Sequence, residues 1–295
     1  MSIVLPTRDR PALLARACTG LLAAMGPDDE LIVVDSASAD PAAVAGVISD
    51  PRARVVRADR PGATVARNVG WQLARHDLVG FVDDDVEVQP GWADAFVAAW
   101  RDHPDASFIT GRIRIPEGQG TLAVAVKDDP DPATFGRRDA GLLGHSASLA
   151  VPRSRLIEVG GFDEALGPGS RFREADDVDL FDRLLSAGGY GRYEPTADAT
   201  HDQWRRIRQY VVLQHDYGYG SGARLSKLWR TDRARFRAAA YQDVWRWGVM
   251  LVPRELAKRD WFRAFGSLLR VLGVVRGFVV ASFTPVRDGH FAVRT

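Results

Sequence analysis

The chain has 295 residues, 46% of them apolar and 26% charged, the ordinary balance of a soluble globular protein with one large domain or a domain plus an appendage. The formal net charge is +1, which gives no footing for nucleic acid or another polyanion. One cysteine, Cys18, excludes an internal disulfide and suits a reducing, cytoplasmic setting.

The opening "MSIVLPTRDR" enters a strand pattern without a cationic leader, so no signal peptide is expected. "SIVL" (Ser2–Leu5) reads as a buried strand. A helix follows, with Pro11 in its first turn and Leu13, Leu14, Ala17, Leu21 and Leu22 at helical spacing. "ELIVVDS" (Glu30–Ser36) is a second strand, and Asp40 before Pro41 caps a short helix. "ARVVRA" is a third strand, Ala63–Arg75 a helix, and "DLVGFVDDD" a fourth strand. Strands alternating with helices predict βαβ units and a mostly parallel, doubly wound sheet, an α/β Rossmann-like fold. Ligands of such sheets bind at the carboxyl ends of the strands. Asp9, Asp35 and Asp83–Asp85 stand at such ends.

"GWADAFVAAWRDH" is the next helix and Ser107–Ile115 the next strand. "PEGQG" is a break. Lys127–Gly141 is charged and Pro/Gly-rich, a mobile loop and candidate lid. "HSASLAVPR" reads as a strand, "EVGGFDEALGPGSRF" as glycine-punctuated loop, Asp177–Gly189 as a helix, and "YGRYEP" as a last short strand before His201. From about Arg205 the pattern is helical only, which sets a catalytic domain at 1–204, with halves near 1–115 and 116–204, and a helical region at 205–295. No run reaches the ~18 apolar residues of a membrane span. The nearest, Ala264–Val286, is interrupted by Arg270 and Arg276. At 100° per residue, Trp261, Phe265, Leu268, Leu272, Val275 and Val279 share one side of this segment, and Arg259, Arg263 and Arg270 the other. The apolar side either docks on the catalytic domain or a second subunit, or lies on an anionic membrane.

Three consecutive aspartates repel one another unless a cation sits among them. Mg²⁺ or Mn²⁺ prefers oxygen ligands and completes its shell with substrate phosphates. The other reading of Asp83–Asp85 is a solvated acidic turn.

Six stretches, "SIVLPTRDRPALLARA", "ELIVVDSAS", "GATVARNVGWQLA", "FVDDDVEVQPGW", "GGFDEAL" and "EADDVDLFDRLLSAG", occur in that order. Together they resemble the blocks of family 2 glycosyltransferases of the GT-A fold, over roughly Ser2 to Gly220. The resemblance implies an inverting, metal-dependent enzyme that moves a sugar from a nucleoside diphosphate sugar to a hydroxyl acceptor, as in bacterial members. UDP is the commonest donor nucleotide of the family, with dTDP or GDP as options. The acceptor would be a saccharide, a natural product or a lipid-linked group.

By the same resemblance Pro6, Thr7 and Arg8 belong to the nucleotide-binding edge, and Asp35 meets the base. Asp35-Ser36-Ala37-Ser38 replaces the usual Asp-Asp-Gly-Ser, which leaves base identity open, and Asp35 also reads as a cap. Arg67 and Asn68 match the block beside the donor. Asp83-Asp84-Asp85 matches the Asp-x-Asp motif: Asp83 and Asp84 face the donor, and Asp85 with Asp83 binds Mn²⁺ or Mg²⁺. Asp177 aligns with the catalytic base and Asp176 with the preceding glutamate. Acids there also suit a helix N-terminus. His201 matches a histidine that adds to the metal or phosphate site, and His145 lies on the acceptor side. Tyr217, Tyr219 and Arg224 either close over the substrate or form an aromatic packing face.

The C-terminal helices allow peripheral attachment at the inner membrane face or a homodimer. Three rival functions remain. A sugar nucleotidyltransferase wants a glycine-rich loop after strand one, which "PTRDRPALL" lacks. A nucleotide-sugar-binding protein without turnover would not need the intact acids. A polymer synthase wants a Gln-x-x-Arg-Trp block, of which "DQWRR" (Asp202–Arg206) is a faint echo.

Overall fold

The computed structural model of the protein describes residues 1–116, 126–139, 141–202 and 207–292. Most of "PEGQG", the boundary at 204/205 and most of "DQWRR" lie outside them.

Strand β1 (Ser2–Thr7) is flanked by β2 (Glu30–Asp35) and β4 (Leu78–Val82), and β3 (Ala53–Arg57) lies outside β2, all in parallel. β1, β2 and β4 are buried along their whole length, because helices cover both faces of a parallel sheet. β8 (Ser148–Pro152) runs antiparallel beside β4, then come β6 (Phe108–Arg114) and β9 (Gly191–His201). The far edge of β9 carries two short antiparallel strands, β5 (Val86–Val88) and β7 (Ala133–Phe135). The order is β3-β2-β1-β4-β8-β6-β9-β5, with β7 also on β9. Six strands run one way and β5, β7 and β8 against them, so the sheet is mostly parallel, as expected.

Helices α1 (Pro11–Ala24), α2 (Pro41–Ala45) and α4 (Trp92–Asp102) cover one face, with Leu14, Leu21, Val44, Trp92 and Phe96 in its core. Cys18 belongs to that core, and burial pushes its thiol up to about 12, so it stays a protonated, inert side chain. Helices α3 (Ala63–Gln72), α5 (Arg153–Val159) and α6 (Asp176–Ser186) cover the other face, through Trp71, Leu156, Leu180 and Leu184.

Several expectations change. The short last strand continues past Pro195, because the missing N–H is absorbed where the β6–β9 register shifts between Gly111 and Arg112. A short helix, α5, follows β8 directly, and its last two residues, Glu158 and Val159, fall in the segment read as loop. The candidate lid is tied down: Lys127 bridges to Ile113, β7 joins the sheet, and Arg137 Nη2 lies 2.8 Å from Asp232.

Beyond residue 207 come α7 (Ile207–Thr231), α8 (Arg233–Ala240), a π-helical segment (Tyr241–Val249), α9 (Leu251–Ala257) and α10 (Trp261–Ser282), then a two-stranded ribbon of β10 (Val286–Arg287) and β11 (His290–Phe291). α10 lies along α7 through glycines. A Cβ at Gly222 would sit 2.1 Å from Val274 O, and one at Gly277 2.0 Å from Tyr219 O. This close seam leaves no room for large side chains. The buried side of α10 is therefore Ala264, Gly266, Ser267, Gly273, Val274, Gly277 and Ala281. Its apolar stripe does not dock on the catalytic domain, one of the options the sequence left.

Candidate active site

The carboxyl ends of β1, β2 and β4 form one edge of the sheet, and the three aspartates leave it in different directions. Asp84 turns back under β1: Thr7 Oγ1 donates to it at 2.7 Å and Arg10 Nη1 at 3.1 Å. Burial raises its carboxyl to about 6 against these two donors. Asp83 turns toward α3, where Arg67 Nη2 donates to it at 2.6 Å. Asp85 turns toward β9.

That last direction follows from the sheet. β5 pairs with β9 in a register that sets Val86 opposite His201, and Asp202 N donates to Asp85 O at 3.0 Å. His201 Nε2 then lies 3.5 Å from Asp85 Oδ1. His201 Nδ1 is 3.0 Å from Asp202 O, a carbonyl that can only accept, so Nδ1 carries the hydrogen. In the neutral imidazole this leaves the Nε2 lone pair aimed at a carboxylate oxygen. Two acceptors face to face suit a cation between them, and a backbone carbonyl behind the imidazole is the usual second layer of a metal-binding histidine. Among the described residues, no three His, Cys, Asp or Glu side chains converge as a metal site. One or two protein ligands plus donor phosphates is how Mg²⁺ is commonly held, so the pair fits such an ion.

On the opposite wall, α6 begins after two left-handed residues, Arg173 (φ 67°) and Ala175 (φ 73°), a conformation non-glycine residues rarely take. The turn delivers Asp176 and Asp177 to the helix N-terminus. Arg67, only 3% exposed, donates from Nη1 to Asp176 at 2.6 Å, so one guanidinium joins Asp83 to Asp176. Asp177 accepts from Val178 N at 2.7 Å and Ser146 N at 3.4 Å, and His145 Nδ1 is 3.8 Å from its Oδ2. Its carboxyl is raised above the usual range, chiefly by burial, against the Val178 N–H and Arg67.

Arg67, Asp83, His145, Asp176, Asp177 and His201 line one pocket of about 260 Å³. The helical region supplies another wall, with Tyr217, Ser221, Arg224 and Arg270. Tyr219 instead packs against Phe172. Other expected donor residues are near the pocket without lining it. Pro6 is buried in β1, Thr7 is spent on Asp84, and Arg8 pairs with Asp9 in solvent at 3.5 Å. Asp35 ends β2 beside Thr7, but its oxygens accept from Ser38 N at 2.9 Å and Arg57 Nη1 at 2.6 Å. Asn68 is a clamp: it donates to Phe162 O and accepts from Phe162 N and Trp71 Nε1. Gly161 (φ 71°) must be glycine there, since its Cβ would lie 2.7 Å from Asn68 Oδ1.

Sequence reasoning missed two features. Arg10 Nη1 reaches both Asp84 at 3.1 Å and Asp85 at 3.6 Å. The other is a buried ion network under the site: Asp179 takes Lys227 and Arg183, and Asp182 takes Arg224 and Arg235.

Among the described residues, a nine-stranded sheet with acids at its carboxyl edge and a second acidic cluster at a facing helix defines a GT-A glycosyltransferase scaffold. The mannosyltransferase PcManGT of Pyrobaculum calidifontis, solved with GDP-Man and Mn2+, superposes with a TM-score of 0.69 at 19% identity, over 94% of this chain and 86% of that one. S. aureus TarS superposes with a TM-score of 0.61 at 15% identity, over 99% and 96%.

The chain belongs to glycosyl transferase family 2, whose model matches residues 2–163. It is 31% identical over 245 residues to the pre-mycofactocin glycosyltransferase of Mycobacterium tuberculosis, covering 77% of this chain and 47% of that protein. It is 23% identical to an uncharacterized glycosyltransferase of Haemophilus influenzae, over 72% and 70%. The chain thus spans about half the length of the mycobacterial relative.

Proposed function

We propose that the chain transfers a sugar from a nucleoside diphosphate sugar to a hydroxyl acceptor, with inversion, using Mn²⁺ or Mg²⁺. The observation that carries this is the gathering of Asp83, Asp177 and His201 around one pocket, with Asp85 facing His201 Nε2 at 3.5 Å. Asp85 and His201 would hold the cation, while Asp83, held by Arg67, lines the same pocket as His201. A bound divalent ion supplies positive charge against the departing diphosphate.

The chain's own residues do the rest. Asp177 accepts the proton of the acceptor hydroxyl as that oxygen bonds to the anomeric carbon and the bond to the diphosphate breaks. Its raised proton affinity suits a base. Arg67 fixes Asp83 and Asp176 from a buried position and so sets the distance between donor and acceptor walls. Asp176 is engaged by Arg67, which favours a single displacement over a second carboxylate acting as nucleophile. UDP is the first donor nucleotide to test, with GDP and dTDP beside it.

The test is release of nucleoside diphosphate from a panel of such sugars, with either cation, by the wild type and Asp177→Asn. Release by the wild type, reduced about 10²–10⁴-fold in the variant, is the expected result. Equal release by both, or a product of retained configuration, would contradict the assignment.

A further inference from the structure

The apolar stripe of α10 faces outward. Trp261, Phe265, Leu268, Leu272, Val275, Val279 and Phe283 are each about half exposed or more, with Trp261 at 71% and Phe283 at 84%. They run within a narrow arc of the helix for about 33 Å at ~1.5 Å per residue. Trp245 and Met250, from the preceding segment, are exposed as well. A soluble monomer rarely leaves so long an apolar band in water.

Charge decides what covers it. Residues 241–283 contain seven lysines and arginines and three acids, in a chain whose net charge is +1. Arg246, Arg254, Lys258, Arg259, Arg263 and Arg276 are exposed, whereas Glu255 is buried and Asp243 and Asp260 are partly buried. Arg276 borders the stripe itself. Aromatic side chains within an apolar band, with Arg276 at its edge and a surplus of basic residues around it, are the composition of a helix lying in the headgroup region of an anionic bilayer. A second copy of the chain would bring the same surplus of cations to the seam. In lipid, Arg276 reaches phosphate oxygens on its long stem, and the exposed Arg254 and Lys258 precede the helix, whereas Arg263 lies on its far side. Crossing the bilayer is a different matter: α10 is long and apolar enough by length and composition, but its other side is sealed on α7.

We infer that the outward stripe of α10 is a membrane-docking surface that lies flat on anionic lipid. The inference does not rest on the proposed chemistry, because its test reads binding and not turnover. The full-length protein is mixed with vesicles of phosphatidylcholine alone or with phosphatidylglycerol, and co-flotation and tryptophan emission are recorded. Binding to the anionic vesicles, weakened by salt, with a blue shift in emission, is expected. Leu272→Asp with Val275→Asp should abolish it without lowering the Tm, since both side chains point to solvent. Replacing Arg254, Lys258 and Arg276 by Gln should weaken it by about tenfold or more. Absence of wild-type binding at low salt would overturn the inference. So would a stable dimer in solution that Leu272→Asp dissociates and that ignores vesicles, which would assign the stripe to a second copy of the chain.

Discussion

Arg67 and Asp176 stand 109 positions apart in the chain and 2.6 Å apart in the fold. The same guanidinium holds Asp83 at 2.6 Å, so a single buried cation couples the strand-end acids to the helix that carries the proposed base. Removing it would leave two carboxylates without their common partner. Arg67→Ala should cost roughly 3–5 kcal/mol of stability. Arg67→Lys, with one ammonium for two acids, should fold better and still lose most activity. Thermal unfolding and transfer rates of the two variants check this. Full activity in Arg67→Lys would show that the fork geometry is unimportant.

The Asp177 carboxyl is raised by burial, so a larger share of it is protonated at any acidic pH than for an exposed aspartate. A base must be ionised to act. The acid limb of kcat/KM should therefore fall above the ordinary aspartate range near 4, with activity lost as pH drops through the raised value. A pH–rate profile reads it. Asp177→Asn should flatten that limb while leaving nucleotide affinity within a few-fold.

Asp182 lies outside the pocket and beneath it, 1% exposed, with Arg224 and Arg235 both on its carboxylate. Asp182→Ala removes the carboxylate shared by buried Arg224 and Arg235, of which Arg224 keeps Asp243 at 2.7 Å, at a cost of about 3–5 kcal/mol. Denaturant unfolding should show a lower midpoint. A midpoint equal to that of the wild type would mean that the network carries no net stability.

The α7–α10 seam depends on absent side chains. Gly277→Leu would place a Cβ 2.0 Å from Tyr219 O and force the helices apart, for about 1–3 kcal/mol or more. Protease sensitivity between α9 and α10 should rise with it. Arg270, which α10 contributes to the pocket, would move too, so activity should fall alongside.

Much of this was legible in the sequence. Alternating strands and helices gave the sheet, and the ordered acidic blocks placed Asp83–Asp85 and Asp177 at facing edges. The resemblance assigns Asp85 and His201 to one site, but local pattern alone does not pair them, because their approach depends on β5, a three-residue strand, finding its register on β9. The Arg10 contact and the partners of Asp179 and Asp182 are single cations without motif spacing, brought in by tertiary packing. α10 shows a different limit. Periodicity tells which side of a helix is apolar and not which side is buried. Its real signal was the glycine spacing, Gly218 and Gly222 against Gly273 and Gly277, which permits backbone contact between helices.

The central claim is that Asp85 and His201 hold a divalent cation with the donor diphosphate. Calorimetric titration of UDP, GDP and dTDP, each with and without Mn²⁺, on the wild type and Asp85→Asn tests it most directly. One nucleotide should bind tightly only when Mn²⁺ is present, and Asp85→Asn should remove that dependence together with most of the affinity. Equal affinity with and without the metal, or unchanged metal-dependent binding in Asp85→Asn, would contradict the account.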